Sequence, residues 1–222
     1  MVDNPFENGK ELYRQGKYPE AIKEFLKSDT LEAKPSEIAY YMSLCYAKMK
    51  EYEEALLYLE QVLTTDSHPL KRYQARMLMG YIYAITERFK LAELEFSKVI
   101  EEGFSSASVY AALAHVLYMQ GDTVNSLEAL DKALSMDSDN PSALNSMGYI
   151  LAEEGIKLPL AIKYCRRALD KVPSNPAYHD SYAWALYKNG QKRDAQAAIR
   201  VARKLLPDHP LVNEHYRVIM EL

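Results

Sequence analysis

Apolar and polar positions along this chain recur with the period of an amphipathic helix. Between Ser36 and Lys50 there are apolar or aromatic residues at 38, 41, 42, 45, 46 and 49, and from Tyr52 to Leu63 the stripe repeats at 55, 56, 59, 62 and 63. Each series is the 3.6-residue stripe of a helix that buries one face. Only Lys50-Glu51 separates the two, so they fold back as an antiparallel hairpin. The punctuation agrees. Gly16, Gly121 and Gly190 stand where a first helix ends, the place for a left-handed residue. Pro19 and Pro159 stand where a second helix begins, where a missing N–H costs nothing. Gly9, Gly80 and Gly148 fall mid-helix. Glycine destabilises a helix interior, so these three predict a close approach of the paired helix. All ten prolines fit helix starts or connections, and no strand is required.

One hairpin cannot cover its own apolar face, and stacked neighbours can. The sequence supplies the neighbours. Aligned on Ala21, Ala55, Ala92, Ser126, Ala161 and Ala195, it repeats with spacings of 34, 37, 34, 35 and 34 residues. Four residues after the anchor stand Phe25, Leu59, Phe96, Leu130 and Ile199, and seven after it stand Val62, Val99, Ala133, Ala168 and Ala202. Large–small pairs precede the anchor: Asn8-Gly9, Met42-Ser43, Met79-Gly80, Leu113-Ala114, Met147-Gly148 and Tyr182-Ala183. Pro173 and Pro207 close the last two units.

This pattern resembles the tetratricopeptide repeat. Six units cover nearly the whole chain, at roughly 2–35, 36–69, 73–106, 107–140, 141–175 and 176–209. Asn8, Ser126 and Cys165 depart from the usual residue types, and Ser138 stands where a closing proline is expected. After unit six, Leu211, His215, Tyr216, Val218 and Ile219 keep helical spacing, which predicts a capping helix over 210–222. The expected fold is an all-α solenoid of thirteen helices in one domain, the right-handed superhelix being what the resemblance implies. Three extra residues near Thr65–Arg72 predict a longer first helix in unit three. One extra residue in Glu153–Leu158 predicts a longer inner turn in unit five. The last two units are similar to a bacterial subgroup of the family.

Composition narrows the function. With 48% hydrophobic and 26% charged residues, the 222-residue chain is an ordinary globular one. It has no apolar run of membrane-spanning length. Its N-terminus, MVDNPFENGKELYRQGK, has no signal-peptide core. The compartment stays open: cytoplasmic if the chain is complete, periplasmic or lipid-anchored if a signal has been removed. No phosphate-cradling loop, H-E-x-x-H motif or paired C-x-x-C is present. No cofactor, metal or catalytic residue is therefore expected, and the chain does not read as an enzyme. The run His179-Asp180-Ser181 holds triad residue types, but neighbours on a helix point about 100° apart. Cys45 and Cys165 fall on inward stripes and read as buried thiols.

The tyrosine excess, 18 residues, points elsewhere. In the resembled family the first helix of each hairpin lines the concave face. Carried over position by position, that face holds Phe6, Lys10, Tyr13 and Arg14 in unit one, Tyr40, Leu44 and Lys48 in unit two, and Met77 and Tyr81 in unit three. It continues with His115, Tyr118 and Met119 in unit four, Asn145 and Tyr149 in unit five, and Asp180, Trp184, Tyr187 and Lys188 in unit six. Aromatics, Met and Arg are enriched at interface hot spots. The expectation is an interaction scaffold that takes a peptide or protein segment in this groove. Lys10, Arg14, Lys48 and Lys188 leave an acidic or C-terminal carboxylate contact open. The relatives that bind chaperone tails use a Lys/Asn/Arg clamp; here the matching positions hold Phe6, Lys10, Tyr41, Gln74 and Leu78, so that partner is not expected.

Charge offers an alternative. Residues 1–156 carry net −10, residues 157–204 net +8 and residues 205–222 net −2. Oppositely charged ends could drive self-association. General nucleic-acid binding is not expected from an overall −4. An RNA-binding helical repeat is the third and weaker alternative: it would want a basic groove, whereas Lys163, Arg166, Arg167, Arg200, Arg203 and Lys204 fall mainly on second helices.

Overall fold

The six anchor residues, Ala21, Ala55, Ala92, Ser126, Ala161 and Ala195, expose no surface. The computed structural model describes residues 4–28 and 33–221. Parts of the first and last expected segments, residues 2–3, 29–32 and 222, lie outside them. Among the described residues there are thirteen helices and no strand. They are α1 (Pro5–Arg14), α2 (Tyr18–Phe25), α3 (Pro35–Lys48), α4 (Tyr52–Thr65), α5 (Pro69–Ile85), α6 (Phe89–Glu101) and α7 (Ala107–Met119). There follow α8 (Thr123–Met136), α9 (Pro141–Glu153), α10 (Leu158–Lys171), α11 (Pro176–Lys188), α12 (Lys192–Leu205) and α13 (Pro210–Met220). Each odd helix up to α11 packs most extensively on the helix that follows it, giving six hairpins, and α13 packs on α12 and α11.

The hairpins are built by a large–small exchange. Four residues after the anchor, Phe25, Leu59, Phe96, Leu130, Cys165 and Ile199 are fully or almost fully buried. In three hairpins this residue fills the space left by a mid-helix glycine. A Cβ on Gly9 would lie 2.6 Å from the Phe25 ring, on Gly80 2.5 Å from Phe96, and on Gly148 2.4 Å from Cys165 Sγ. Close packing offsets the helix propensity that glycine gives up. Ser126 keeps the anchor role because its hydroxyl donates to the Ala114 carbonyl at 2.7 Å, so no polar group is stranded.

Helix boundaries follow local chemistry. Six odd helices, α1, α3, α5, α9, α11 and α13, start on proline. Asn4, Ser106, Asp122, Asn140 and Asn175 cap free N–H groups with their side chains. At the turn inside each hairpin one residue is left-handed: Gly16, Lys50, Glu87, Gly121, Gly155 and Gly190. The sequence signal was present at only some of these, because Lys50 and Glu87 take the same conformation without being glycine. The extra residue in the fifth hairpin is absorbed by a second left-handed residue, Lys157, at φ 49°. The extra residues before unit three lengthen α5 to 17 residues, starting at Pro69.

The chain divides into two compact units, Met1–Phe104 and Ser105–Leu222, each with three hairpins. In the N-terminal unit, one core lies under α1 to α3 around Phe25, Met42 and Cys45, and a second lies around Leu59, Val62 and Ile82. This unit also holds a buried ion network. Arg76 of α5 reaches Glu95 Oε2 at 2.7 Å and Glu102 Oε1 at 3.0 Å. Burial works against the Arg76 charge, but the two carboxylates outweigh it and raise the guanidinium pKa. In the C-terminal unit, α7 to α10 share a core around Leu130, Met147 and Ile150, and α11 to α13 share one around Leu186, Ile199 and Ile219. Among the described residues no helix is long and apolar enough to cross a membrane.

Candidate functional site

First helices have one face in the hairpin and another free, and most of the candidate residues fall on the free faces. In the N-terminal unit the structure gathers them around Tyr41. Tyr13 meets Tyr41 edge-on at 6.1 Å, Phe6 does so at 5.6 Å, and Tyr40 lies 6.3 Å away. Lys10 pairs with Glu7 at 2.8 Å while its ammonium lies 5.2 Å from the Phe6 ring centre. Arg14 pairs with Glu11 at 3.1 Å. Lys71, absent from the sequence-derived list, sits over Tyr40 at 5.4 Å. Burial first, then neighbouring tyrosines, raises the Tyr40 and Tyr13 hydroxyls above their usual pKa. Leu44 is half-buried and Lys48 exposed. Met77 is buried, while Tyr81 is 43% exposed and rests its edge on Phe96 at 5.5 Å. These ring contacts make a packed aromatic patch around Tyr41.

The C-terminal unit arranges the same positions differently. Here α7, α9, α11 and the α12–α13 segment enclose a cleft of about 480 Å³. His115, Tyr118 and Met119 line it from α7, Asn145, Ser146, Tyr149 and Ile150 from α9, and Ala177, Asp180 and Ser181 from α11. Leu206, His209, Leu211 and Val212 complete it. Tyr118 and Tyr149 stand perpendicular, centroids 6.3 Å apart. Burial raises both hydroxyls above their usual range, Glu153 adding to the effect on each. His115 keeps an exposed face, yet the cleft walls strip water from its ring and lower its pKa. The amide oxygen of Asn145 is buried and meets no hydrogen-bond donor.

Beneath the cleft lies a polar pair that sequence reasoning missed. His215 of α13 places Nδ1 2.9 Å from Asp180 Oδ2 and 3.1 Å from Oδ1, both side chains being buried. Trp184 stacks on His215, centroids 4.1 Å apart and planes 12° from parallel. The Trp184 indole N–H donates to Glu153 Oε2 at 2.6 Å. Tyr187 lies 5.2 Å from Trp184, and Lys188 places its ammonium 5.3 Å from the same ring. Asp180 and Trp184 are thus largely committed to holding α13. The available signal was modest: His215 precedes Ile219 by four residues on the cap's inward stripe. His179 and Ser181 do not join this pair; His179 bonds the Pro173 carbonyl at 2.9 Å.

Cys45 and Cys165 expose no surface, and burial pushes each thiol up to about 12. No group of His, Cys, Asp and Glu among the described residues has the arrangement to hold a metal.

A tetratricopeptide-repeat family model matches residues 6–69 and 111–176, more than half of the sequence. The chain belongs to the tetratricopeptide-repeat family. Among tetratricopeptide-repeat relatives, a repeat-containing protein of Pseudomonas aeruginosa is 30% identical over 116 residues, half of this chain and 20% of that protein. The chain spans between a fifth and about a third of the first curated relatives it matches, 20%, 23% and 34% of their lengths. A solved tetratricopeptide-repeat protein of Parabacteroides merdae superposes with a TM-score of 0.73 at 17% identity, covering 97% of this chain and 83% of that one. The tetratricopeptide-repeat protein YrrB superposes with a TM-score of 0.58 at 21% identity, covering 86% of this chain and 96% of that one. Family and fold together make the chain a repeat scaffold of the protein-binding type.

Proposed function

We propose that this chain is a non-catalytic scaffold that holds a segment of a partner protein, and that the cleft of the C-terminal unit is where the segment sits. The observation that carries this is the cleft itself. It has a volume in the range of ligand sites, ~300–1,000 Å³. Met119, 49% exposed, and Leu211, 39% exposed, leave apolar surface uncovered at it. Tyr118 and Tyr149 offer rigid apolar area with a hydroxyl each. YrrB, of the same fold, is described as having an unusual peptide-binding site. The chaperone-tail clamp is absent from this sequence, so the segment is of another chemistry.

The test uses His115→Ala/Met119→Ala/Leu211→Ala, three exposed residues whose loss leaves the core intact. A photo-reactive residue at position 118 is cross-linked in lysate of the source organism with and without the triple change. A partner that cross-links to the parent at position 118 and drops at least about tenfold in the variant, with unchanged circular dichroism, is the expected result. Equal cross-linking of both proteins sinks the reading.

A second reading is favoured by the outer face of α12. Arg167 and Lys171 are neutralised by Asp139, and Arg166 by Asp170. Lys192, Arg193, Arg200 and Lys204 are exposed and form no ion pair among the described residues. That basic face would attract the acidic N-terminal part of a second copy. Such self-association would weaken as salt rises, which sedimentation at low and high salt reads directly.

A further inference from the structure

We infer that the C-terminal cleft selects a segment presenting a large apolar side chain flanked by Lys or Arg, read by the carboxylates of Glu153, Glu154 and Glu214. This rests on the cleft being a segment-binding site and adds the chemistry of the segment. Asn145, Tyr149 and Glu153 follow one another at four-residue steps on α9, so they form one row on the same face. The row that lines the cleft at Asn145 and Tyr149 therefore runs on to a carboxylate one turn further along α9. Glu153 accepts from the neutral Trp184 indole, and Glu154 accepts from the Thr123 hydroxyl at 3.4 Å. Glu214, on the cap, lies near enough to Tyr149 to oppose its ionisation. None of the three forms an ion pair among the described residues.

Three more observations set the sign. The last turn of α9 has no basic residue, and a helix C-terminus already carries partial negative charge. Two carboxylates there work against the helix, and no cation among the described residues pairs with them. Asn145 presents a buried acceptor with no donor, a group that a segment's N–H would satisfy. No Lys or Arg lines the cleft. Asp180 is matched to His215, and burial favours the neutral form of His115. Lys188 lies over Trp184. A cationic flank meets complementary charge here, whereas an acidic flank meets repulsion.

The experiment titrates the full chain with labelled dodecapeptides whose central residue is Phe, Leu or Met. The flanks are Lys/Arg, Ser or Glu, and binding is followed by anisotropy. Emission of Trp184, the chain's one tryptophan, reports occupancy beside the cleft. Cation-flanked peptides are expected to bind about tenfold tighter than acid-flanked ones in low salt. The preference should fall to within about threefold in Glu153→Gln/Glu154→Gln/Glu214→Gln, where the side-chain amide oxygen introduced at position 153 can still accept the indole N–H. Equal or tighter binding of acid-flanked peptides, abolished by the His115/Met119/Leu211 change, overturns the charge preference and leaves the cleft reading standing. A preference that survives the triple Gln change places recognition elsewhere and overturns the inference. Failure of every peptide to bind removes the cleft reading and the inference with it.

Discussion

The two units use one repeat pattern and reach opposite surface chemistry. In the N-terminal unit the first-helix aromatics close on each other around Tyr41, and Lys10 and Lys71 lie over their rings. In the C-terminal unit Tyr118 and Tyr149 open onto a cleft; Glu153 opposes the ionisation of both, Glu154 that of Tyr118 and Glu214 that of Tyr149. Their buried polar devices differ as well. The N-terminal unit buries a permanent cation, Arg76, between two carboxylates, while the C-terminal unit buries a histidine against Asp180. The comparison shows what a repeat constrains. Anchor, large residue and mid-helix glycine hold the hairpin together, and the free face of the first helix is left open to vary.

The largest expected effect exploits the buried pairs. Glu95→Ala/Glu102→Ala strands the Arg76 guanidinium, which cannot lose its proton, and should cost about 3–5 kcal/mol of stability. Asp180→Ala leaves an imidazole, a type of group able to be neutral, and should cost nearer to about 1–3 kcal/mol. Chemical denaturation of both variants measures the gap. Equal costs would mean the two devices are energetically alike.

A second effect, absent near neutral pH and felt only in alkali, concerns the two thiols, one in each unit. Folding raises both from an ordinary 9.0 to about 12. The folded state therefore holds these protons more tightly. The associated stability is complete below about pH 9 and is lost as pH climbs from there toward about 12, at about 1.4 kcal/mol per pH unit for each thiol. Thermal melts of the parent and of Cys45→Ala/Cys165→Ala, run from neutral to alkaline pH, should diverge once the ordinary thiol pKa is passed. The variant keeps the part of the slope due to buried tyrosines such as Tyr149. Parallel curves would show that the thiols are not the groups responsible.

The smallest effect concerns the inner turns. All three in the C-terminal unit use glycine, Gly121, Gly155 and Gly190, whereas the N-terminal unit uses glycine only at Gly16 and holds Lys50 and Glu87 at φ 64° and 59°. Left-handed backbone costs an L-residue about 1–2 kcal/mol. Lys50→Gly and Glu87→Gly should each stabilise by about 0.5–1 kcal/mol, after the entropy that glycine adds to the unfolded chain. Gly121→Ala should destabilise by about 1 kcal/mol. Midpoints in urea give both signs, and a loss on Lys50→Gly would show that the lysine side chain contributes to the turn.

Much of this was legible from residues alone. The period located the six anchors, and a helix interior containing Gly9, Gly80 or Gly148 implied a partner pressed against it. Those are local rules with short-range causes: spacing, propensity and the size of one side chain. The free face was legible only as a list of positions. Position could not tell that Met77 turns into the core, that Lys10 and Arg14 are answered by Glu7 and Glu11, or that Trp184 is engaged by His215 and Glu153. His215 and Glu153 were missed because their partners lie 31 to 35 residues away.

By itself, then, the sequence determined a tetratricopeptide-repeat fold, its hairpins and the residues that pack them, because burial of a periodic apolar stripe has few solutions. Only the tertiary structure decided that some first-helix aromatics pack on one another around Tyr41 while others open onto a cleft walled by α7, α9, α11 and the α12–α13 segment. That outcome depends on which side chains from successive helices arrive at the same place, and a cap folded back from residues 210–220 supplies part of the wall.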